Sequence, residues 1–168
     1  MNKNLFLSTC YIVALGLFSA ESLATPLPKG TDYPVTHLYK GSRSVQVDRS
    51  DEFTNSFRTR FKDAMQGPVV FAGEYAQAEW GCGGSGCHTV AFINVRTGRA
   101  LPTSFSAYDA GDEEPKTIGE EVLYINKTSK LLVTYDTHAE SGKHFYNYYV
   151  LENRDLKLIQ KAPDTGSE

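Results

Sequence analysis

Thr89-Val90-Ala91-Phe92-Ile93-Asn94-Val95-Arg96-Thr97-Gly98-Arg99-Ala100-Leu101-Pro102-Thr103-Ser104-Phe105 is the stretch that decides the fold. Two runs rich in β-branched, apolar and aromatic residues flank Arg96-Thr97-Gly98-Arg99. That spacing reads as strand, tight turn, strand. The same grammar recurs downstream. Residues 121–125 and 131–138 flank Asn126-Lys127-Thr128-Ser129-Lys130, and 144–152 and 156–160 flank Asn153-Arg154-Asp155. Upstream, 69–80 reads as a strand, or as a strand bent at Gly73. Strands joined by short loops make an antiparallel meander the economical topology. The tyrosines at 124, 135, 146, 148 and 149 supply flat rings suited to pleated faces. In 144–152, alternation puts His144, Tyr146, Tyr148 and Val150 on one face and Phe145, Asn147, Tyr149 and Leu151 on the other. Large groups on both faces predict a strand covered on both sides.

One helix precedes this β-region. Ser50 reads as its N-cap, with Asp51 and Glu52 in the first turn. Phe53, Phe57, Phe61 and Met65 then recur every fourth residue, and Gly67-Pro68 ends the run. Arg58 and Arg60 fall on the borders of the apolar stripe, where their stems cover its edges and their heads reach for carboxylates. The expected fold class is α+β: this helix packed on a curved meander of six or seven strands, left open, partly closed as a barrel or propeller-like.

The N-terminus reads as an export signal. Lys3 gives a short positive start, residues 5–18 are mostly apolar, and Ser22-Leu23-Ala24 places cleavage near Ala24-Thr25. The apolar core is short for a membrane span, so no stable anchor is expected after cleavage. Removing residues 1–24 from the 168 leaves 144, one domain's worth. The expected organisation is an irregular arm at 25–48, the α+β domain at 49–162 and a flexible tail at 163–168. Cleavage removes Cys10 and leaves Cys82 and Cys87. The mild net charge of −3 argues against nucleic acid as a partner and fits a periplasmic or secreted protein.

Trp80-Gly81-Cys82-Gly83-Gly84-Ser85-Gly86-Cys87-His88 is the segment most able to carry function. Fully extended, its cysteines would lie about 16 Å apart. A disulfide needs roughly 4.4–6.8 Å between α-carbons, so the loop must double back. In an oxidising compartment these cysteines most simply pair, closing a ring worth roughly 2 kcal/mol. The plain reading is a stapled turn between strands. A second is a rigid loop whose exposed N–H groups at Gly83, Gly84 and Ser85 bind a ligand, with Trp80 and His88 beside it. A redox pair or a metal set of Cys82, Cys87, His88 and either His138 or His144 is also conceivable, but the spacing matches no standard module. No metal and no cofactor are expected.

Asp136 and His138 lie two apart on a strand and therefore share a face, the one arrangement that invites acid–base chemistry. The stretch 106–119, with Asp109, Asp112, Glu113 and Glu114, reads as an exposed acidic loop able to steer a basic partner.

Several segments together resemble a family. Phe57-Arg58-Thr59-Arg60-Phe61, Phe71-Ala72-Gly73-Glu74-Tyr75, Trp80-Gly81-Cys82-Gly83 and Asn94-Val95-Arg96-Thr97-Gly98 are similar to small exported bacterial proteins of uncharacterised activity with a W-G-C-G-x-x-C-type segment. Ser129-Lys130-Leu131-Leu132-Val133 and Tyr148-Tyr149 resemble that group's C-terminal strands. Here four residues separate the cysteines, where that group commonly has three or fewer. The resemblance implies export and the domain boundaries. The expected function is a non-enzymatic binding protein of the bacterial envelope for an unknown protein, peptide or glycan. The alternatives are a small periplasmic hydrolase using Asp136 and His138, or a toxin-neutralising immunity or inhibitor protein.

Overall fold

A computed structural model describes residues 25–84, 86–111 and 116–166. The expected signal segment, Cys10, Ser85 and residues 112–115 lie outside the described residues. Seven strands form one antiparallel sheet in sequence order: β1 Tyr75–Gly81, β2 His88–Asn94, β3 Ala100–Ala110, β4 Lys116–Tyr124, β5 Leu131–Thr137, β6 His144–Glu152 and β7 Asp155–Pro163. The sheet stays open, with β1 and β7 as its edges, but it curls until β7 approaches β3.

The turn that opens the β-region forms as its residues dictate. The Asn94 side-chain oxygen accepts from the backbone N–H groups of Arg96 and Thr97. Gly98 has φ +71°, and a Cβ there would strike the Gln46 carbonyl of the arm. β3 carries a register shift against β2 between Ala91 and Ile93, and Pro102 falls in this irregular part, where its missing N–H leaves no gap in a regular ladder.

Curling gives the sheet two unlike faces. On the inner side, Tyr75, Val90, Phe92, Leu101, Phe105, Leu132 and Leu156 form the main core, with Val122, Tyr149 and Leu151 against it. On the outer side, Ala76, Ala78, Ala91 and Ala100 with Ile93 make a floor of mostly small residues under Phe61 and Met65. A separate outer cluster joins Leu131, Tyr148 and Val150 to Tyr33 of the arm. β6 is therefore covered on both sides, as its alternation predicts.

Four elements differ from the sequence reading; the first is the segment 69–80, which is strand only from Tyr75, the chain turning at 72–74 before it. In place of one helix from Ser50, two short helices form, α1 Glu52–Ser56 and α2 Arg58–Ala64, joined at Phe57 with φ −108° and ψ 26°. Asp51, not Ser50, is the N-cap; it accepts from the Thr54 N–H and hydroxyl, and the Thr54 hydroxyl oxygen in turn accepts from the Ala100 N–H of β3. Arg58 donates to the Asn55 carbonyl rather than to a carboxylate.

The expected acidic loop at 106–119 is mostly strand, since Ser106–Ala110 ends β3 and Lys116–Gly119 begins β4. Among its described residues only the small Ala107 and a lone Ile118 are buried, which gives little apolar signal. At the C-terminus, β7 runs through Pro163 into the expected tail. Asp164 is held there: its N–H donates to the His144 carbonyl and its carboxylate accepts from the Tyr135 hydroxyl at 2.8 Å.

The arm is irregular apart from a single 3-10 turn at Gly30–Asp32, yet it is bonded along its length. The backbone N–H groups of Val35, Tyr39, Ser44 and Asp48 donate to Thr128, Gly73, Val95 and Gly98. The Arg43 guanidinium donates to the Met65 and Gly67 carbonyls, closing the C-terminus of α2.

Candidate functional site

One transverse row of the sheet places the chemistry-bearing segments together. Gly81 pairs with His88, His88 with Ala107, Ala107 with Gly119, Gly119 with Thr137, and Thr137 with His144. The cysteine loop, the β3–β4 connection and the His138–Lys143 loop therefore emerge from the same end of the sheet. The opposite end carries the tight turns at 95–99, 125–130 and 153–154.

Cys82 and Cys87 form a disulfide with their α-carbons 5.2 Å apart. The loop doubles back through two backbone bonds, Cys82 N–H to the Cys87 carbonyl at 3.0 Å and Cys87 N–H to the Gly84 carbonyl at 3.2 Å. Gly86 has φ +64°, and a Cβ there would meet the Asp109 carboxylate. Gly83 and Gly84 are exposed with open space around them. With both sulfurs bonded to each other, the Cys82, Cys87 and His88 set offers no thiolate to a metal. Among the described residues no group of three or more His, Cys, Asp or Glu side chains is placed to hold a metal ion.

Trp80 and His88 flank this loop but serve different surfaces. Trp80 pairs with Thr89 and His88 with Gly81, so strand alternation turns the two side chains to opposite faces. Trp80 stacks on Phe57, and Phe61 meets it edge-on at 5.8 Å. His88 Nδ1 lies 3.2 Å from the Gly86 carbonyl, and Nε2 lies 3.6 Å from Glu121. His88, Glu79 and Glu121 rim a cleft of about 230 Å³ whose floor includes Val90 and Val122. An apolar floor with a carboxylate rim suits a long-stemmed cation such as a lysine or arginine side chain.

A second cluster lies at the same end of the sheet, on β4, β5, β6 and β7. His138 Nε2 lies 3.0 Å from Asp136, and Lys161 Nζ lies 3.2 Å from both the carboxylate and that same nitrogen. The Lys161 ammonium also sits 4.2 Å from the centre of the Phe145 ring. His138 Nε2 is thus occupied between a carboxylate and an ammonium.

Behind this cluster, one Glu120 oxygen accepts from the Thr134 hydroxyl, from Asn147 Nδ2 at 2.9 Å and from the Tyr149 hydroxyl at 2.8 Å. Burial first, then the bond to Glu120, pushes the Tyr149 phenol far above its ordinary value. Asn147 is 4 % exposed, and its Oδ1 has no partner among the described residues. The hydroxyls of this network are committed to Glu120, so no free nucleophile stands beside His138 among its described members.

Sequence reasoning brings out Asp136, His138, Trp80, His88 and the loop glycines, but not Glu120, Asn147, Tyr149 or Lys161. Alternation along β6 does put Asn147 and Tyr149 on one face. Glu120 lies beyond reach of pattern because it falls between the stretch 106–119 read as acidic loop and the strand read from 121, whereas β4 runs unbroken from Lys116 to Tyr124. No protein-family model matches this chain, and comparison with curated proteins and with solved structures finds no match.

Proposed function

We propose that this chain is an exported, non-enzymatic interaction protein of the bacterial envelope that meets its partner with the cysteine-loop end of the sheet. The observation that supports this reading is the transverse row Gly81–His88–Ala107–Gly119–Thr137, which gathers the stapled loop, His88 and the acidic hairpin on one end. The partner is a protein or peptide that presents basic side chains to Glu79, Glu121 and Asp109. A glycan is the less favoured ligand because the rim is carboxylate-rich. An immunity or inhibitor role is one form of the same reading, since charge speeds and orients encounter.

Gly84 supplies the test. It has open space around its α-carbon and no positive φ, so Gly84→Trp leaves the fold intact while obstructing the loop face. Wild-type protein is expected to retain a stoichiometric partner from envelope extract, and Gly84→Trp to lose it with an unchanged circular dichroism spectrum. Absence of a stoichiometric partner, together with no ligand-induced rise in Tm, overturns the reading.

A hydrolase using Asp136 and His138 is the second reading, favoured by their 3.0 Å contact. It requires an activity that His138→Ala abolishes while the Tm is kept. A broad hydrolase screen that stays at the buffer rate removes it.

A further inference from the structure

The end of the sheet opposite the cysteine loop carries a cleft of about 400 Å³ between the arm, the Ala72–Gly73 turn and the β6–β7 turn. Arg96, Lys130 and Arg154 line it, and its one carboxylate is Glu74. That carboxylate is engaged by Arg96 Nε at 3.1 Å, and the Arg96 head lies 5.8 Å from the centre of the Tyr39 ring. Lys130 and Arg154 make no ion pair among the described residues. A chain of net charge −3 therefore concentrates uncompensated positive charge in one concave place.

The backbone around this cleft is unusual in the same place. Ala72, Asn153 and Arg154 have φ of 46°, 49° and 68°, and among the described residues they are the complete set of non-glycine residues with positive φ. All three line this cleft. Asn153 is a common choice for the first central position of a two-residue hairpin turn, but the second normally takes glycine. Arg154 stands there instead, holding a guanidinium at the rim in a conformation that glycine adopts without penalty. Backbone strain that collects at one concavity, with a charged side chain at the strained position, is the pattern of a binding site rather than of a turn chosen for stability.

We propose that this cleft binds a small, doubly charged oxyanion, a phosphomonoester or a dicarboxylate, through Arg154 and Lys130, with Arg96 completing the positive wall. An arginine fork pairs with two oxygens of either group, and the lysine ammonium adds a point charge. The site is independent of the partner surface proposed for the opposite end.

The test is calorimetric titration and thermal shift at low ionic strength with three probes: inorganic phosphate, glycerol 2-phosphate and succinate. At least one is expected to bind saturably and raise the Tm, with affinity falling as salt is added. Preference for the phosphate probes or for succinate identifies the anion. Arg154→Gly accepts the φ of 68° and is expected to keep or raise the unliganded Tm while weakening binding at least tenfold. Lys130→Gln is expected to weaken binding in the same direction. Arg60→Gln, on α2 away from the cleft, is expected to bind as wild type. Failure of all three probes to bind, or wild-type affinity in both Arg154→Gly and Lys130→Gln, overturns the proposal.

Discussion

The Trp80 indole stacks on the Phe57 ring with centroids 4.7 Å apart and planes inclined by 24°. Phe57 is the residue at which the helical run breaks, so the chain's single tryptophan reports directly on the seating of that corner. Phe57→Ala is expected to shift tryptophan emission to longer wavelength. Because Phe57 is half-buried, the loss of stability is expected to be about 2 kcal/mol, below that of a fully buried phenylalanine. Fluorescence-monitored urea unfolding checks both.

The disulfide joins residues five apart, so the ring it closes is short. The Cys82→Ser, Cys87→Ser double variant is expected to lose about 2 kcal/mol, by the chain-entropy relation. The sheet keeps its circular dichroism spectrum, because Cys82 and Cys87 lie just outside β1 and β2. Reduction of the wild type in calorimetry is expected to lower the Tm by the same amount as the double substitution.

Glu120 takes three donors on one oxygen, and removing it strands the Thr134 and Tyr149 hydroxyls and leaves Asn147 Nδ2 only its long 3.5 Å bond to Asp136. Glu120→Ala is expected to cost about 3 kcal/mol in urea unfolding, since unpaired buried donors lose their hydration without compensation. Tyr149→Phe removes one donor and leaves the others paired, so its cost is expected to be about 1 kcal/mol.

Tyr135 and Asp164 make a pH-sensitive pair at the end of β7. The bond to Asp164, then burial, pushes the Tyr135 phenol up to about 12, and the same bond lowers the Asp164 carboxyl below its ordinary range. The folded state therefore holds the phenol proton more tightly than the unfolded chain does. This contribution to stability is complete below pH about 10, the ordinary tyrosine value, and is lost as the pH rises toward 12. At the acid end, Asp164's contribution fades as the pH falls below its ordinary value of 3.8. Ultraviolet titration is expected to show several late-ionising tyrosines, Tyr149 among them, of which the one at about 12 returns toward 10 in Asp164→Asn.

What the chain discloses before folding follows from side-chain size and from range. The 94–99 turn and strand β6 are legible because their signals are local: Asn94 caps its own turn, and the aromatic and aliphatic residues of β6 alternate without a gap. The outer half of the β3–β4 hairpin is hidden because its described buried side chains are the small Ala107 and a lone Ile118, with Gly119 beside it, too little to mark a strand. The break at Phe57 is hidden because four-residue spacing continues through it, and the stacking that accompanies it involves a tryptophan on another element. Asp136 and His138 show themselves as neighbours on one strand. Lys161 and Glu120 join them only through the pairing of β4 to β7, which no single segment contains.

Because every strand lies beside its sequence neighbours, each new strand can be added to an edge that already exists. No strand must wait for a distant segment to arrive, and the loop closures required are all short. Such a sheet is expected to form by successive hairpin growth, faster than β-proteins whose strands cross between sheets. The two cysteines of the described chain belong to one of those hairpins, so oxidation closes a turn already made and can trap no wrong ordering of strands. A chain that emerges into an oxidising space end first would therefore meet its oxidant without a choice of topology to make.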